Sequence, residues 1–209
     1  MIKNLYLVRH GEAEHLIGKG LTGGWTDSSL TKKGRTQAHE TGKSILNFLG
    51  KIDVGFYCSD LCRANDSAEI IGSYIDKKPV ALIELREQNN GNAANLSTEE
   101  AQKISSPISE PIMDWIHYPN AESWRSFNNR VFKFMNVIEQ ESMETVLIVS
   151  HRRIILAIIH WWLEFSEDYI KKVSFDIEPS SITYLRINKW GEKTISKLND
   201  IAHLTDIKL

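Results

Sequence analysis

The chain of 209 residues predicts an α/β fold: a three-layer α/β/α sandwich on a mostly parallel central sheet with an antiparallel edge strand. Three observations predict it. Short β-branched runs alternate with amphipathic helical patterns, which favours a parallel sheet covered on both faces. Two β-rich runs late in the chain flank a turn and read as a hairpin. No Gly/Ser/Pro-rich linker, internal repeat or low-complexity tract divides the sequence, so residues 1–209 are expected to form a single domain.

Taken in order, LYLV at residues 5–8 is the first buried strand. Thr31 is placed to cap a helix running through residue 49. VGFYC at 54–58 is the second strand, and RANDSAEIIGSYI gives the helix over 61–75 its amphipathic pattern. VALI at 80–83 is the third strand. Residues 88–118 are polar and irregular, and the stretch around 88–120 reads as a cap-like excursion beyond the sheet's carboxyl end, where open α/β sheets bind ligands. Trp124, Phe127, Val131, Phe134 and Ile138 recur at steps of three and four, one apolar face of a long helix over 122–141. VLIV at 146–149 is the fourth strand, with a helix expected directly after His151. SITYLRI and KTISKL, around Trp190 and Gly191, form the hairpin.

Composition excludes several classes of function. A hydrophobic content of 42% supports a core without covalent staples. A formal charge of -2 and a pI near 6.4 give no electrostatic case for nucleic acid or for an anionic membrane. Cys58 and Cys62 have no second pair to complete a zinc site and read as reduced thiols. The first residues lack the apolar core of a signal peptide. The longest apolar patch, residues 154–163, is interrupted by His160 and is shorter than the roughly 20 residues a bilayer span needs. A soluble cytoplasmic protein is expected, and nothing in the sequence specifies an oligomer.

The chemistry concentrates at two strand ends. TGKS at residues 41–44 looks like the end of a phosphate-binding loop, but the required earlier glycine is Gln37 and the segment lies in a helix, so it is set aside. In LVRHGEAE, Arg9 and His10 fall where the first strand ends, and Gly11 lets backbone approach a ligand closely. Histidine can act as a nucleophile, and an adjacent guanidinium can hold a phosphate through paired, charge-assisted hydrogen bonds. In VLIVSHRR the pattern recurs: His151 follows a strand and precedes a helix whose N-terminus offers donors to an anion. Each histidine alone would more often be structural; the pair, each beside arginine, points to a phosphate site.

At these residues the sequence resembles the histidine phosphatase superfamily, with its phosphoglycerate-mutase-like fold, over nearly the whole chain. LVRHGEAE is similar to the family's Arg-His-Gly motif. GGWTDSSLTKKGRTQA, CSDLCRANDSAEII with Arg63, LREQ with Glu87, VLIVSHRR, and NDIAHL near the end resemble its further segments, the last that of small bacterial phosphatases. The resemblance implies that His10 attacks phosphorus to give a phosphohistidine. Arg9, Arg63 and His151 would then surround the phosphoryl oxygens, and Glu87 would protonate the leaving oxygen. It also implies that no metal or other cofactor is needed. Alternatives stay open residue by residue: Arg63 could be a surface charge, and Glu84 could be the acid in place of Glu87. His15, His39, His117, His160 and His203 carry no comparable motif and are read as structural.

Three positions depart from the family pattern. Leu16 stands where the family often has a phosphate-contacting asparagine. NNGNAANL after Glu87 keeps only Gly91 of the usual element. Arg152 and Arg153 follow the second histidine where two glycines are usual, and Arg152 is a candidate for binding a second anionic group. The expected function is metal-independent hydrolysis of a small phosphorylated metabolite. A cofactor-dependent phosphoglycerate mutase is the first alternative, disfavoured because such mutases tend to be longer. An inactive, phosphatase-like binding or regulatory protein is the second.

Overall fold

The computed structural model describes residues 1–17, 20–50, 52–141 and 143–205. Its sheet has six strands: β1 (Asn4–Arg9), β2 (Gly55–Ser59), β3 (Val80–Leu82), β4 (Thr145–Ser150), β5 (Ile182–Ile187) and β6 (Lys193–Asp200), in the order β3-β2-β4-β1-β5-β6. β1 to β4 pair in parallel. The expected hairpin supplies the antiparallel edge: β5 pairs antiparallel with β1, and β6 antiparallel with β5.

The helices cover both faces, and strand periodicity shows why. Side chains alternate across a strand, so Leu5 and Leu7 of β1, with Val146 and Ile148 of β4, enter one core. Tyr6 and Val8, with Leu147 and Val149, enter the other. Two helices, α4 (Trp124–Glu139) and α5 (Arg152–Trp162), bring Phe127, Val131, Met135, Ile154, Ile158 and Trp162 to the first core. On the other face, α1 (Lys32–Leu49) and α2 (Cys62–Ile75) bring Ile45, Leu49, Ala68 and Ile71 to the second. Every residue of β4 is buried because it lies between β1 and β2 with helices above and below. Each fully buried branched side chain contributes about 1.5–3 kcal/mol.

Local signals set the helix starts. Thr31 caps α1 as expected, its Oγ1 accepting from the Gly34 N–H at 2.9 Å. The TGKS segment lies within α1, where Thr41 and Gly42 are buried. Residues 88–118 are less irregular than the sequence reading. They hold α3 (Thr98–Lys103), which starts in a capping box between Ser97 and Glu100. A four-residue helix, α6 (Glu167–Ile170), also lies outside the elements read from sequence. No helix among the described residues is long and apolar enough to cross a membrane.

Candidate active site

The register of β1 against β4 brings the two histidines together. Arg9 is paired with Ser150, so the next residue of each strand, His10 and His151, emerges at the same carboxyl edge. The His10 N–H donates to the Ser150 carbonyl at 2.9 Å and locks that alignment. The two imidazole rings stand 5.1 Å apart between centroids, edge to face, and both are buried.

The hydrogen bonds around His10 assign its tautomer. Nδ1 lies 2.7 Å from the Gly11 carbonyl, which can only accept, so Nδ1 carries the proton. Nε2 therefore keeps its lone pair, and the Arg63 Nε–H donates to it at 3.3 Å. Burial, then the charges of Arg63 and Arg9, hold the His10 pKa well below the ordinary histidine range, so the ring is neutral. Arg63 is fixed in turn by the carbonyls of Thr26 at 2.6 Å and Gly24 at 2.8 Å. It is 1% exposed, which rules out its reading as a surface charge. Burial lowers its pKa to about 10, leaving it cationic at neutral pH.

His151 has a different arrangement. Its Nε2 is 2.8 Å from Ser59 Oγ, while its Nδ1 is buried without a partner. Arg9 gives one terminal N–H to the Ile177 carbonyl at 2.6 Å, and its Nε is likewise buried and unpartnered. Buried polar atoms are normally satisfied. The Arg9 Nε–H is thus a donor left for an anion's oxygen to accept, and the His151 Nδ1 is one in the tautomer that carries its proton there.

Arg9, His10, Arg63, Glu87, Arg152 and Arg153 all line one cavity of about 380 Å³. Glu87 follows the short turn after β3, and its carboxylate reaches the start of α5. Its Oε1 accepts from the Gln88 N–H at 2.8 Å, and its Oε2 from the Arg153 N–H at 3.3 Å. Its backbone carbonyl accepts from the Trp25 indole at 2.8 Å. Glu84, the alternative acid, lines a separate groove beside β3 and α4 and does not reach this cavity. Leu16 is at the cavity wall, where it offers no polar atom to a phosphate.

Four expectations change: Gly11 and His151 are not among the residues that line the cavity, whereas His15 and His117, both read as structural, are. The Gly11 N–H donates to Ser67 Oγ at 3.1 Å. A Cβ there would sit 2.4 Å from the Gly34 carbonyl oxygen, so this glycine serves packing of β1's end against α1 rather than ligand approach. The His15 Nδ1 is 2.6 Å from Ser28 Oγ, and burial together with Arg63 and Arg9 lowers its pKa to about 4.

Fold and site together define an α/β protein in which paired histidines, arginines and one nearby carboxylate gather at the carboxyl edge of the sheet. The chain belongs to the histidine phosphatase superfamily, branch 1, whose sequence model matches residues 5–201. It is 32% identical over 170 residues to a 2,3-bisphosphoglycerate-dependent phosphoglycerate mutase of Bartonella henselae, covering 76% of this chain and 81% of the relative. It is also 32% identical over 154 residues to the uncharacterized phosphatase PhoE of Bacillus subtilis, covering 73% of this chain and 74% of the relative. Among solved structures, a mutant phosphoserine phosphatase from Entamoeba histolytica in complex with phosphoserine superimposes with a TM-score of 0.74 at 26% identity, over 96% of this chain and 98% of that one.

Proposed function

We propose that the protein is a metal-independent phosphomonoesterase acting on a small phosphorylated metabolite through a phosphohistidine at His10. The observation that carries this reading is the 2.7 Å contact of His10 Nδ1 with the Gly11 carbonyl, which places the proton on Nδ1 and leaves Nε2 to attack. The Nε2 lone pair displaces the ester oxygen in line, forming the N–P bond as the P–O bond breaks. Nδ1–H stays on the Gly11 carbonyl and stabilises the positive ring that results. Arg9 and Arg63, which line the cavity, take the phosphoryl oxygens, and His151 assists from beside His10, its ring 5.1 Å away and its Nδ1 unpartnered. Glu87 gives its proton to the departing alkoxide. A water then attacks phosphorus, Glu87 takes that water's proton, and the N–P bond breaks back to Nε2.

A mutase would share the first half and differ in what receives the phosphoryl group. Chain length does not separate the two, since the Bartonella mutase is matched over 81% of its length by 76% of this one. Hydrolysis is supported by the phosphatase-named relative and by the solved phosphoserine phosphatase that shares the fold over nearly the whole chain. The test supplies p-nitrophenyl phosphate, phosphoserine and 3-phosphoglycerate, each with chelator present. Release of inorganic phosphate unaffected by chelator is the expected result. Conversion of 3-phosphoglycerate to its isomer without phosphate release, or dependence on a metal, would refute the reading.

A further inference from the structure

His15 lies in the cavity wall, yet the steps at His10 give it no task. Its ring stands 6.4 Å from the His10 ring between centroids, tilted at 53°. Nδ1 is tied to Ser28 Oγ at 2.6 Å, while Nε2 has no hydrogen-bond partner among the described residues. Nε2 comes within 3.8 Å of the position a Cβ would take at Gly23, another residue of the cavity wall. The charges that depress the His15 pKa, after burial, are those of Arg63 and Arg9, the same two guanidiniums that flank His10.

Much of the neutral polar wall is spent on the protein itself. Thr22 Oγ1 donates to the Ala93 carbonyl and accepts from the Asn90 amide. Asn90 also accepts from the Trp25 N–H and donates to the Gly23 carbonyl. The Gln88 amide is divided between the Glu122 carbonyl and the Arg153 guanidinium. His117 belongs to another part of the cavity: its ring stacks on Tyr118 at 4.0 Å, and the charge that acts on it is Arg153. Leu16 has no polar side-chain atom at all. His15 is therefore the neutral side chain placed to donate beside Arg9 and Arg63.

We propose that His15 is a substrate-binding residue whose Nε2–H donates to an oxygen of the phosphoryl group seated at His10. This rests on the reading of His10 as the phosphoryl acceptor, and it supplies a donor where Leu16 has none. The contact with Ser28 permits the tautomer required. A hydroxyl donates as readily as it accepts, so with Ser28 donating to Nδ1 the imidazole proton sits on Nε2. An anion selects that tautomer, because the other would turn a lone pair toward its oxygen. Distance permits it as well. An attack distance of about 3–3.5 Å at His10 and a hydrogen bond of about 2.9 Å fit rings 6.4 Å apart, so one phosphoryl group can touch both.

The test uses inorganic phosphate, which probes binding apart from turnover. Phosphate is titrated calorimetrically into the native protein, His15→Phe and His15→Gln. His15→Phe keeps a ring but no donor and should bind phosphate roughly tenfold or more weakly, as loss of a hydrogen bond to a charged group implies. His15→Gln carries an amide N–H near the position of Nε2 and should recover most of that affinity. Equal affinity of the native protein and His15→Phe, or an equal loss in both variants, would overturn the proposal. The native protein gives a second readout that depends on no variant's folding. Its histidine side-chain ¹⁵N spectrum should show a proton on His15 Nε2 at saturating phosphate; a bare Nε2 there, or no binding of phosphate, would overturn the proposal too. Hydrolysis of p-nitrophenyl phosphate, assayed in parallel, bears on His10 alone. A phosphate affinity that depends on His15, without turnover, would remove the phosphatase reading and leave this contact standing.

Discussion

Glu87 shows how the fold places a single side chain. Backbone donors from Gln88 and Arg153 hold its two oxygens at the cavity wall, while Glu84, three residues earlier, faces another groove. If Glu87 supplies the proton, Glu87→Gln should slow hydrolysis of alkyl phosphates by roughly 10²–10⁴-fold. It should harm p-nitrophenyl phosphate much less, because that leaving group departs unaided. Equal losses for both substrates in steady-state assays would assign the proton to another group. Much of this site was legible in sequence because its residues sit at strand ends or helix starts within short motifs. His15 was not: it reaches the cavity through folding of the following loop, in which Ala13 bridges Leu30 and Ser28 holds the ring. Gly11 was misjudged for a similar reason. Its constraint is the Gly34 backbone, which is distant in sequence.

At the scale of elements, α5 has the least comfortable start. Two arginines occupy the positive end of its dipole, and the acid there comes from outside the helix, Glu87 accepting from the Arg153 N–H at 3.3 Å. Removing one like charge should stabilise the free protein, so Arg152→Ala is expected to gain about 0.3–1 kcal/mol and raise Tm slightly at low salt. Calorimetry at low and high ionic strength checks this: the gain should shrink as salt screens it, and a loss of stability would show that the contact with Asp176 matters more. The elements themselves were readable where hydrophobic periodicity was long, as in α4, or uninterrupted, as in β4. The helix α3 carried a readable capping box in Ser97 and Glu100, but six residues give too little periodicity to declare a helix. The shorter α6 gives less still.

Across the whole molecule, the buried histidines link stability to pH. His10 and His151 have pKa values well below the ordinary range, chiefly through burial, and His15 is lowered to about 4 for the same reason. In the unfolded chain each would titrate near about 6.5. Below that pH the unfolded state binds more protons, so stability falls as pH drops from about 6.5 toward the folded values and is unaffected above it. Each histidine contributes a slope of up to about 1.4 kcal/mol per pH unit. Tm should therefore be steady from about pH 8 to 7 and fall steeply from about 6.5 to 5, well before acidic side chains protonate. A flat Tm across that lower range would mean that these rings are charged in the fold. The same architecture explains why the layered fold was visible in sequence: alternation within β1 and β4 divides their side chains between two cores, and helices must cover both.

The central claim is that phosphoryl transfer passes through Nε2 of His10, and rapid-quench labelling tests it most directly. Native protein mixed with a phosphate monoester radiolabelled in the phosphoryl group and quenched in alkali within milliseconds should carry acid-labile label, located by peptide mapping to His10. His10→Ala should carry none and should release no phosphate. Label on another residue, or normal turnover by His10→Ala, would contradict the account.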